Sequence, residues 1–320
     1  MRLGFLGDGR WAHLAFERFV EDELFEIAFV VPRYGSPDRE LCRRAEAAWV
    51  DVLLIDRINA PQSVDRLAGY ECDALVSISF DQILRRQVLD LCPHGAINIH
   101  AGKLPFYRGR NVLNWALIND EREFGVTAHY MDEGIDTGDI VLQRTSPISD
   151  EDTYATVLER AVELCAETIH DALRMLARDE ANPISQASIH PVGFYTGRRV
   201  EGDEWIDWSW PSRRVFNFVR AITDPGPRAR TTLGGRQVEV VSAAMIPDAP
   251  TYVGTPGEIV GRHSREVHVK TGDSTIALTD VRGAEPRELR IGRRMGSPLE
   301  HRIRQLEARL TAPEPTRAES

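Results

Sequence analysis

The chain has 320 residues, of which 42% are hydrophobic and 28% charged, and its formal net charge is −10 at pH 7. This length allows one large or two medium domains, and the acidic balance does not favour nucleic acid or a membrane surface as a partner. No apolar run approaches the roughly 18 residues of a membrane span, and MRLGFLGDGRW is too polar for a signal peptide. Four scattered cysteines without a CxxC pair disfavour a disulfide framework and a zinc site. We therefore expect a cytoplasmic enzyme or binding protein with reduced thiols.

Strands and helices are predicted to alternate through the first half of the chain. Amphipathic stretches at residues 10–22, 36–48 and 61–68 predict helices between short apolar strands. The predicted strands read RLGFLG, FEIAFVV, DVLLI, CDALVSIS, GAINIH, FGVTAHYM and DIVLQR, and a long helix is predicted over residues 153–177. This alternation predicts an α/β fold with a doubly wound, mostly parallel, Rossmann-like sheet.

The composition changes after about residue 183. PSRRVFNFVRAI predicts one short helix, and RQVEVVSA, GTPGEIV, EVHVK and STIALTDV predict strands separated by Gly, Pro and Asp, which favours a small antiparallel β-barrel. The tail lacks apolar residues, which is typical of disorder. We therefore expect a first domain over 1–183, a linker over 184–204, a small C-terminal β-rich domain over 205–310 and a disordered tail over 311–320.

The first predicted turn is similar to a dinucleotide-binding fingerprint but lacks one of its parts. Gly7, Gly9 and Ala12 in GDGRWA follow a strand and open a helix, as in GxGxxA. An acidic residue that binds ribose should follow the second strand, which here ends in FVVPRYG. A nicotinamide-dependent dehydrogenase is therefore an outside alternative, which a titration with NADH would test.

Asn98 and His100 end the predicted strand GAINIH. In an open α/β sheet, ligands bind beyond the carboxyl ends of the strands, and alternation puts both side chains on one side of the strand. An Asn amide can donate to a developing oxyanion, and a His can relay a proton near neutral pH. The alternative reading is a capped strand end with a satisfied core histidine.

A loop and a turn add to this candidate site. Gly102, Pro105 and Gly109 force an irregular backbone in GKLPFYRGR, which offers N–H and C=O groups to a planar heterocycle. Asp136 lies in a second turn, EGIDTGDIV, between two predicted strands. We expect Asp136 to orient the His100 ring and to raise its pKa by stabilising the imidazolium. A purely structural turn aspartate is the alternative.

The stretches NIHAGKLPFYRGR, NWALIND and FGVTAHYMDEGIDTGDIV together resemble the 10-formyltetrahydrofolate-dependent formyltransferases. The resemblance covers most of residues 1–180 and implies the formyltransferase fold and transfer of a formyl group from 10-formyltetrahydrofolate to an amine, without a metal. The family's catalytic Asn, His and Asp fall on Asn98, His100 and Asp136. The segment from GFYTGRR to IDWSWP resembles the start of the C-terminal domain of the methionyl-tRNA and aminoarabinose formyltransferases.

The resemblance and the predicted topology also imply residues that bind the two substrates. Those for the folate lie in the FDQIL turn, the loop after His100 and the DEGIDTGD turn: Phe80, Gln82, Ile83, Leu84, Gly102, Leu104, Asp132, Gly134 and Ile135. Those for the acceptor lie in the loop, at its end or in the predicted linker: Lys103, Arg110, Asn111, Tyr195 and Arg198. The chain departs from the usual His-x-Ser-Leu-Leu-Pro loop, because Gly102 and Lys103 replace the Ser and the first Leu.

The acceptor stays open among three amines. A nucleotide-linked amino sugar leads, because arginine forks suit its phosphates, and N5-hydroxyornithine of a siderophore is the first alternative. Methionyl-tRNA is the third. A tRNA binder should carry a basic footprint, whereas the charge balance of this chain is acidic. We expect a small-molecule amine as the partner, with no nucleic acid and no membrane, and a homodimer is compatible with the resemblance. A folate-binding module without catalysis and a hydrolase that releases formate are alternatives of other classes.

Overall fold

The structure is a computed structural model that describes residues 1–299 together with Ile303 and Leu306. The tail predicted over 311–320 lies outside the described residues. The chain divides into two compact units. The first comprises Met1–Ala116, Glu121–Glu151 and Thr156–Arg198. The second consists of the chain from Arg199 onward, together with two short earlier segments, Leu117–Asp120 and Asp152–Ala155.

Strands and helices alternate in the first part of the chain, as the apolar pattern predicts. Its strands are β1 (Arg2–Gly7), β2 (Glu26–Val31), β3 (Asp51–Val52), β4 (Ala74–Ile78), β5 (Ala96–His100), β6 (Arg108–Gly109), β7 (Glu123–Tyr130), β8 (Ile140–Pro147) and β9 (Tyr195–Thr196). Its helices are α1 (Gly9–Glu21), α2 (Arg39–Ala47), α3 (Pro61–Ala68), α4 (Arg86–Leu89), α5 (Val112–Ile118), α6 (Tyr154–Ala177) and α7 (Gln186–Ile189).

The main sheet of the first unit has seven strands in the order β3-β2-β1-β4-β5-β7-β8. The strands from β3 to β5 pair in parallel, and β7 and β8 continue the sheet antiparallel. The predicted doubly wound, mostly parallel sheet is therefore confirmed. The apolar runs of the central strands β1 and β4 are buried, as expected where crossover helices cover both faces of a parallel sheet.

Residues of the predicted linker take part in the first unit. Ile184 and Ile140 exchange two backbone hydrogen bonds of 2.8 Å, and β9 pairs in parallel with β6. These contacts hold residues 184–198 against the sheet and the loop after β5. The domain boundaries drawn from the sequence stay predictions.

From Arg199 onward, the described part of the second unit contains an antiparallel sheet and the helix α8 (Ser212–Ala221). Helix α8 precedes β10 (Ala229–Leu233), β11 (Arg236–Met245), β12 (Ile259–His263), β13 (Glu266–Lys270), β14 (Thr275–Arg282) and β15 (Met295–Gly296). The sheet order is β12-β13-β14-β11-β10-β15, which confirms a small β-rich C-terminal domain. Trp208 is buried and donates from Nε1 to Thr231 Oγ1 at 2.9 Å, so it packs inside this unit.

Candidate active site

The candidate site lies where β5 and β7 run side by side in opposite directions. Their register pairs Asn98 with His129 and His100 with Thr127. Residues that pair across neighbouring strands project to the same face, so Asn98, His100 and His129 share one face of the sheet. The turn that follows β7 brings Asp136 to this face.

Four side chains converge there. His100 Nδ1 lies 3.6 Å from Asp136 Oδ2, and His129 Nε2 lies 3.7 Å from Asp136 Oδ1. The amide of Asn98 donates from Nδ2 to His129 Nε2 over 3.2 Å. The structure thus brings Asn98, His100 and Asp136 into one cluster, with His129 between Asn98 and the carboxylate.

The carboxylate of Asp136 is held in its ionised form. Burial acts to raise its pKa, but His129, His100 and the backbone N–H of Gly109 together lower it from 3.8 to about 2. The Gly109 N–H donates to Asp136 Oδ2 over 2.8 Å. Asp136 has a φ of 54°, a left-handed conformation that persists only where the surroundings enforce it.

His100 is buried, and the ring nitrogen that carries its proton is Nε2, which lies on the opposite side of the ring from Nδ1 and Asp136. Its Nε2 donates to the carbonyl oxygen of Tyr107 over 2.7 Å, because a carbonyl can only accept. Burial lowers the pKa of His100 below 6.5, and Asp136 opposes this shift without overcoming it. Asp136 thus acts in the expected direction, but desolvation of the ring outweighs the nearby charge, so the net shift of the His100 pKa is downward.

Gly102 makes room for this position of the His100 ring. A Cβ atom at residue 102 would lie 2.5 Å from His100 Nε2 and 2.5 Å from the Tyr107 carbonyl oxygen. The loop is further held by Thr127, whose hydroxyl donates to the Gly102 carbonyl over 2.7 Å, and by Gln143, which donates to the Leu104 carbonyl over 2.8 Å. The glycine that replaces the usual Ser is therefore needed for this arrangement of the loop and the His100 ring.

The residues predicted to bind the folate fall into three groups. Phe80 and Leu84 pack in one apolar cluster, which Met131 also joins. Gln82 is bound by its amide to Ile58 N–H and Ile55 C=O, and Ile83 is exposed. The buried pair in the loop after His100 is Gly102 and Leu104, and the exposed residues of the turn are Asp132, Gly134 and Ile135. Asp132 caps its own turn by accepting from Gly134 N–H and the Thr137 hydroxyl. Their roles stay predictions.

Most residues predicted for the acceptor lie near each other. The β6–β9 pairing places Tyr195 beside Arg108, and the N–H of Arg110 donates to the Thr196 carbonyl over 3.0 Å. Asn111 and Arg198 are exposed, and each follows the C-terminal end of its strand in this parallel pair.

Lys103 lies in a different place. It packs over Gly125 and its Nζ pairs with Glu123 at the start of β7, whereas His129 and the Asp136 turn lie at the other end of that strand. The structure does not bring Lys103 to the Asp136 turn. Its ammonium group instead forms an ion pair with Glu123.

Two residues of the site were missed from the sequence. His129 stands within FGVTAHYM, but its place opposite Asn98 depends on the register between β5 and β7, which the sequence does not reveal. Gln186 lies in the predicted linker and contacts the Asp136 turn. Neither residue has a local motif that could have found it.

Two further findings concern the described residues alone. No helix among them is long and apolar enough to cross a membrane. Across residues 1–299, no group of three or more His, Cys, Asp or Glu side chains is arranged to hold a metal ion.

The comparisons with known proteins agree with this geometry. Residues 39–173 match the family described as formyl transferase, and residues 200–293 match the formyl transferase C-terminal domain. The chain is 35% identical over 285 residues to a methionyl-tRNA formyltransferase of Anaeromyxobacter sp. (strain K), covering 87% of this chain and 90% of that protein.

Solved structures share the fold at low identity. One is WlaRD, a sugar 3N-formyl transferase crystallised in the presence of dTDP and 5-N-formyl-THF, with a TM-score of 0.65, 19% identity, and coverage of 87% of this chain and 97% of that one. Another is the N-formyltransferase from Helicobacter canadensis in complex with folinic acid and dTDP-3-aminofucose, with a TM-score of 0.64, 19% identity, and coverage of 86% and 98%. From the two family matches and the full-length relative, we conclude that the chain belongs to the formyltransferase family and is an enzyme that transfers formyl groups.

Proposed function

We propose that the enzyme transfers the formyl group of 10-formyltetrahydrofolate to a primary amine, with Asn98, His100 and Asp136 as catalytic residues. The observation that carries this proposal is the convergence of the three side chains on one face of the sheet, with His100 3.6 Å from Asp136. In the reaction the amine nitrogen bonds to the formyl carbon, the bond from that carbon to N10 of the folate breaks, and the proton lost by the amine reaches N10.

Asn98 is the proposed donor to the oxyanion. One N–H of its amide is bound to His129, which fixes the orientation of the group. The amide carries a second N–H, which we assign to the formyl oxygen as it becomes negative. A donor of this kind contributes about 2.7 to 4 kcal/mol in other enzymes.

His100 and Asp136 are the proposed proton path. The low pKa of His100 leaves its ring neutral near pH 7, and the Nε2 proton is committed to the Tyr107 carbonyl. Nδ1 is then the basic atom, and it faces the ionised Asp136. We assign the amine proton to Nδ1 during attack and infer that Asp136 stabilises the imidazolium until the proton passes to N10.

For the folate we propose the apolar cluster that contains Phe80, Leu84 and Met131. Phe80 in the turn after β4 and Met131 at the start of the Asp136 turn are only partly buried where they pack against this cluster, which leaves apolar surface for a ring. Apolar walls with a few fixed polar groups are the usual surroundings of a bound heterocycle.

For the acceptor we propose a small amine, with a nucleotide-linked amino sugar as the leading class and N5-hydroxyornithine as its alternative. The net charge of −10 and the pairing of arginines with carboxylates in the second unit support this class. Among the described arginines of that unit, those with a carboxylate partner are Arg199, Arg213, Arg220, Arg228, Arg236, Arg282 and Arg287. A nucleic-acid backbone is bound by lysines and arginines that neutralise its phosphates, and these arginines already face carboxylates.

Methionyl-tRNA is the second candidate acceptor. It is favoured by the full-length similarity to enzymes named methionyl-tRNA formyltransferase. A tRNA acceptor predicts a steep fall of affinity with salt, whereas a small amine predicts a shallow one.

The test incubates the purified enzyme with 10-formyltetrahydrofolate and follows tetrahydrofolate release with amino-sugar nucleotides, N5-hydroxyornithine or charged methionyl-tRNA. Asn98→Ala is measured beside Asn217→Ala, a control that removes a buried amide in the second unit. Turnover with one acceptor that is lost only in Asn98→Ala supports the proposal. Release without any acceptor would identify a hydrolase, and full activity in Asn98→Ala would contradict the assigned site.

A further inference from the structure

We propose that Gln186 is a positioning residue, which holds Asp136 in its catalytic place by joining the turn after β7 to the loop after β5. This inference rests on the proposed function, because it assigns Gln186 a role through Asp136. Gln186 is 2% exposed and lies about fifty residues further along the chain, in the segment that the sequence predicts to be a linker.

The carboxamide of Gln186 uses both of its ends. Its Nε2 donates to the carbonyl oxygens of Asp136 and Gly138, over 2.9 and 2.8 Å. Its Oε1 accepts from Nε and Nη2 of Arg108, over 3.0 and 2.7 Å. One side chain therefore binds two backbone atoms of the turn and the guanidinium of the residue that precedes Gly109.

These contacts close a ring of hydrogen bonds around the carboxylate. Gln186 binds Arg108, the next residue Gly109 donates its N–H to Asp136 Oδ2, and the carbonyl of Asp136 returns to Gln186. The left-handed φ of Asp136 requires outside support. Since the ring fixes both the backbone and the carboxylate of Asp136, it sets the distance from Asp136 to His100.

The position of Gln186 is itself fixed. Ile184, two residues earlier, pairs with Ile140 at the start of β8. Arg108 is buried, and its third contact is the Val192 carbonyl at 3.4 Å. On the other side of the turn, Gly138 packs so closely against the Tyr130 carbonyl that a Cβ atom would lie 2.0 Å from that oxygen. The turn is thus held between Gln186 and the end of β7.

Two substitutions separate the ends of the carboxamide. Gln186→Met keeps the approximate length of the side chain and removes all four hydrogen bonds. Gln186→Glu keeps the acceptor for Arg108 but loses the two donors to the turn. The control is Asn217→Ala, which removes an amide oxygen bound to Arg220 Nε over 3.0 Å in the second unit.

With the acceptor identified by the panel above, both Gln186 variants should lose kcat on the order of 10²-fold, as expected for a misplaced catalytic group, while both KM values change by less than about threefold. Asn217→Ala should keep kcat within about twofold of wild type at a temperature where it is folded. A kcat for both Gln186 variants equal to that of the control would overturn the inference.

A second readout does not need activity. Asp136 and His129 are the titratable groups that act on His100, and Asp136 opposes the effect of burial on its pKa. If Gln186 positions Asp136, the pKa of His100 measured by NMR should fall further in Gln186→Met but not in Asn217→Ala; Gln186→Glu is left out of this comparison because its new carboxylate would itself act to raise that pKa. An unchanged His100 titration in folded Gln186→Met would refute the positioning role.

The variant Asp136→Asn separates a failure of the role inferred for Gln186 from a failure of the catalytic role proposed for Asp136. If Asp136→Asn is inactive and the Gln186 variants are fully active, the inference about Gln186 fails and the proposed function stands. If Asp136→Asn keeps full activity, the proposed catalytic role of Asp136 fails, and the His100 titration alone then judges the positioning by Gln186.

Discussion

Replacement of Gly102 by alanine tests the link between loop geometry and the His100 ring. The added Cβ would lie 2.5 Å from His100 Nε2 and 2.5 Å from the Tyr107 carbonyl oxygen. Neither neighbour is the free end of a flexible side chain, since one is a buried ring and the other is backbone. The ring must therefore turn or the loop must move, and either change breaks the hydrogen bond from His100 to Tyr107.

The cost follows from three contributions. Overpacking of a tight site costs about 1 to 3 kcal/mol, and a buried carbonyl left without its donor costs about 1 to 3 kcal/mol. The loss of backbone freedom in the unfolded chain returns about 0.4 to 1 kcal/mol. The sum is a destabilisation of about 3 kcal/mol, or roughly 6 to 12 °C in Tm for a unit of more than 150 residues. We also expect kcat to fall by about tenfold or more, because His100 Nδ1 is displaced from Asp136.

The assay compares thermal unfolding and turnover of Gly102→Ala with those of Gly35→Ala. Gly35 is exposed and a Cβ there would meet nothing within 4 Å, so the control should stay within about 0.5 to 1 kcal/mol of wild type. A Tm for Gly102→Ala equal to that of the control, with unchanged kcat, would refute the steric reasoning.

The remaining predictions concern three other side chains. Asn98→Ala should lower kcat by about 10² to 10³-fold with little change in the dissociation constant of the folate. Initial rates measure kcat, and fluorescence titration measures the dissociation constant. Asp136→Asn should remove the part of the unfolding free energy that depends on a pKa lowered from 3.8 to about 2. That contribution, on the order of 2 kcal/mol, is complete above about pH 4 and is lost as pH falls toward 2, so urea unfolding of wild type and variant should converge over this interval. Trp208→Phe should cost about 1 to 2 kcal/mol, because the Thr231 hydroxyl loses its donor, and this is measured by unfolding of the second unit.

The sequence predicted the elements well where the pattern is long and periodic. Helix α3 lies where the sequence predicted it, and α6 begins one residue later than predicted and ends where predicted, because apolar residues repeat over several turns. The stretch DVLLI forms only the two-residue edge strand Asp51–Val52, and Leu53 adds one backbone hydrogen bond to Val30. The helices α4 and α7 have four residues each, too few for a periodic signal.

The candidate site was predictable to the extent that its chemistry stands in one motif. Asn98, His100 and Asp136 could be named because a strand end and a turn mark them and the family resemblance fixes their positions. His129 required the antiparallel register of β5 and β7, which is a tertiary property. Gln186 required knowledge that residues 184–198 pack in the first unit, and this segment has no long periodic apolar pattern that would indicate it.

The direction of the His100 pKa decides what the cluster can do. A raised pKa would have left a permanent ion pair between His100 and Asp136, with no basic nitrogen to accept a proton from the amine. Because burial lowers that pKa while hydrogen bonds keep Asp136 ionised, the pair carries one negative charge and one neutral base near pH 7. In the mechanism that we propose, the negative charge attracts an amine in its ammonium form, and the neutral Nδ1 then takes its proton. Burial alone would raise the pKa of Asp136, so the N–H of Gly109 and the neighbouring His129 preserve the charge on which both proposed steps depend.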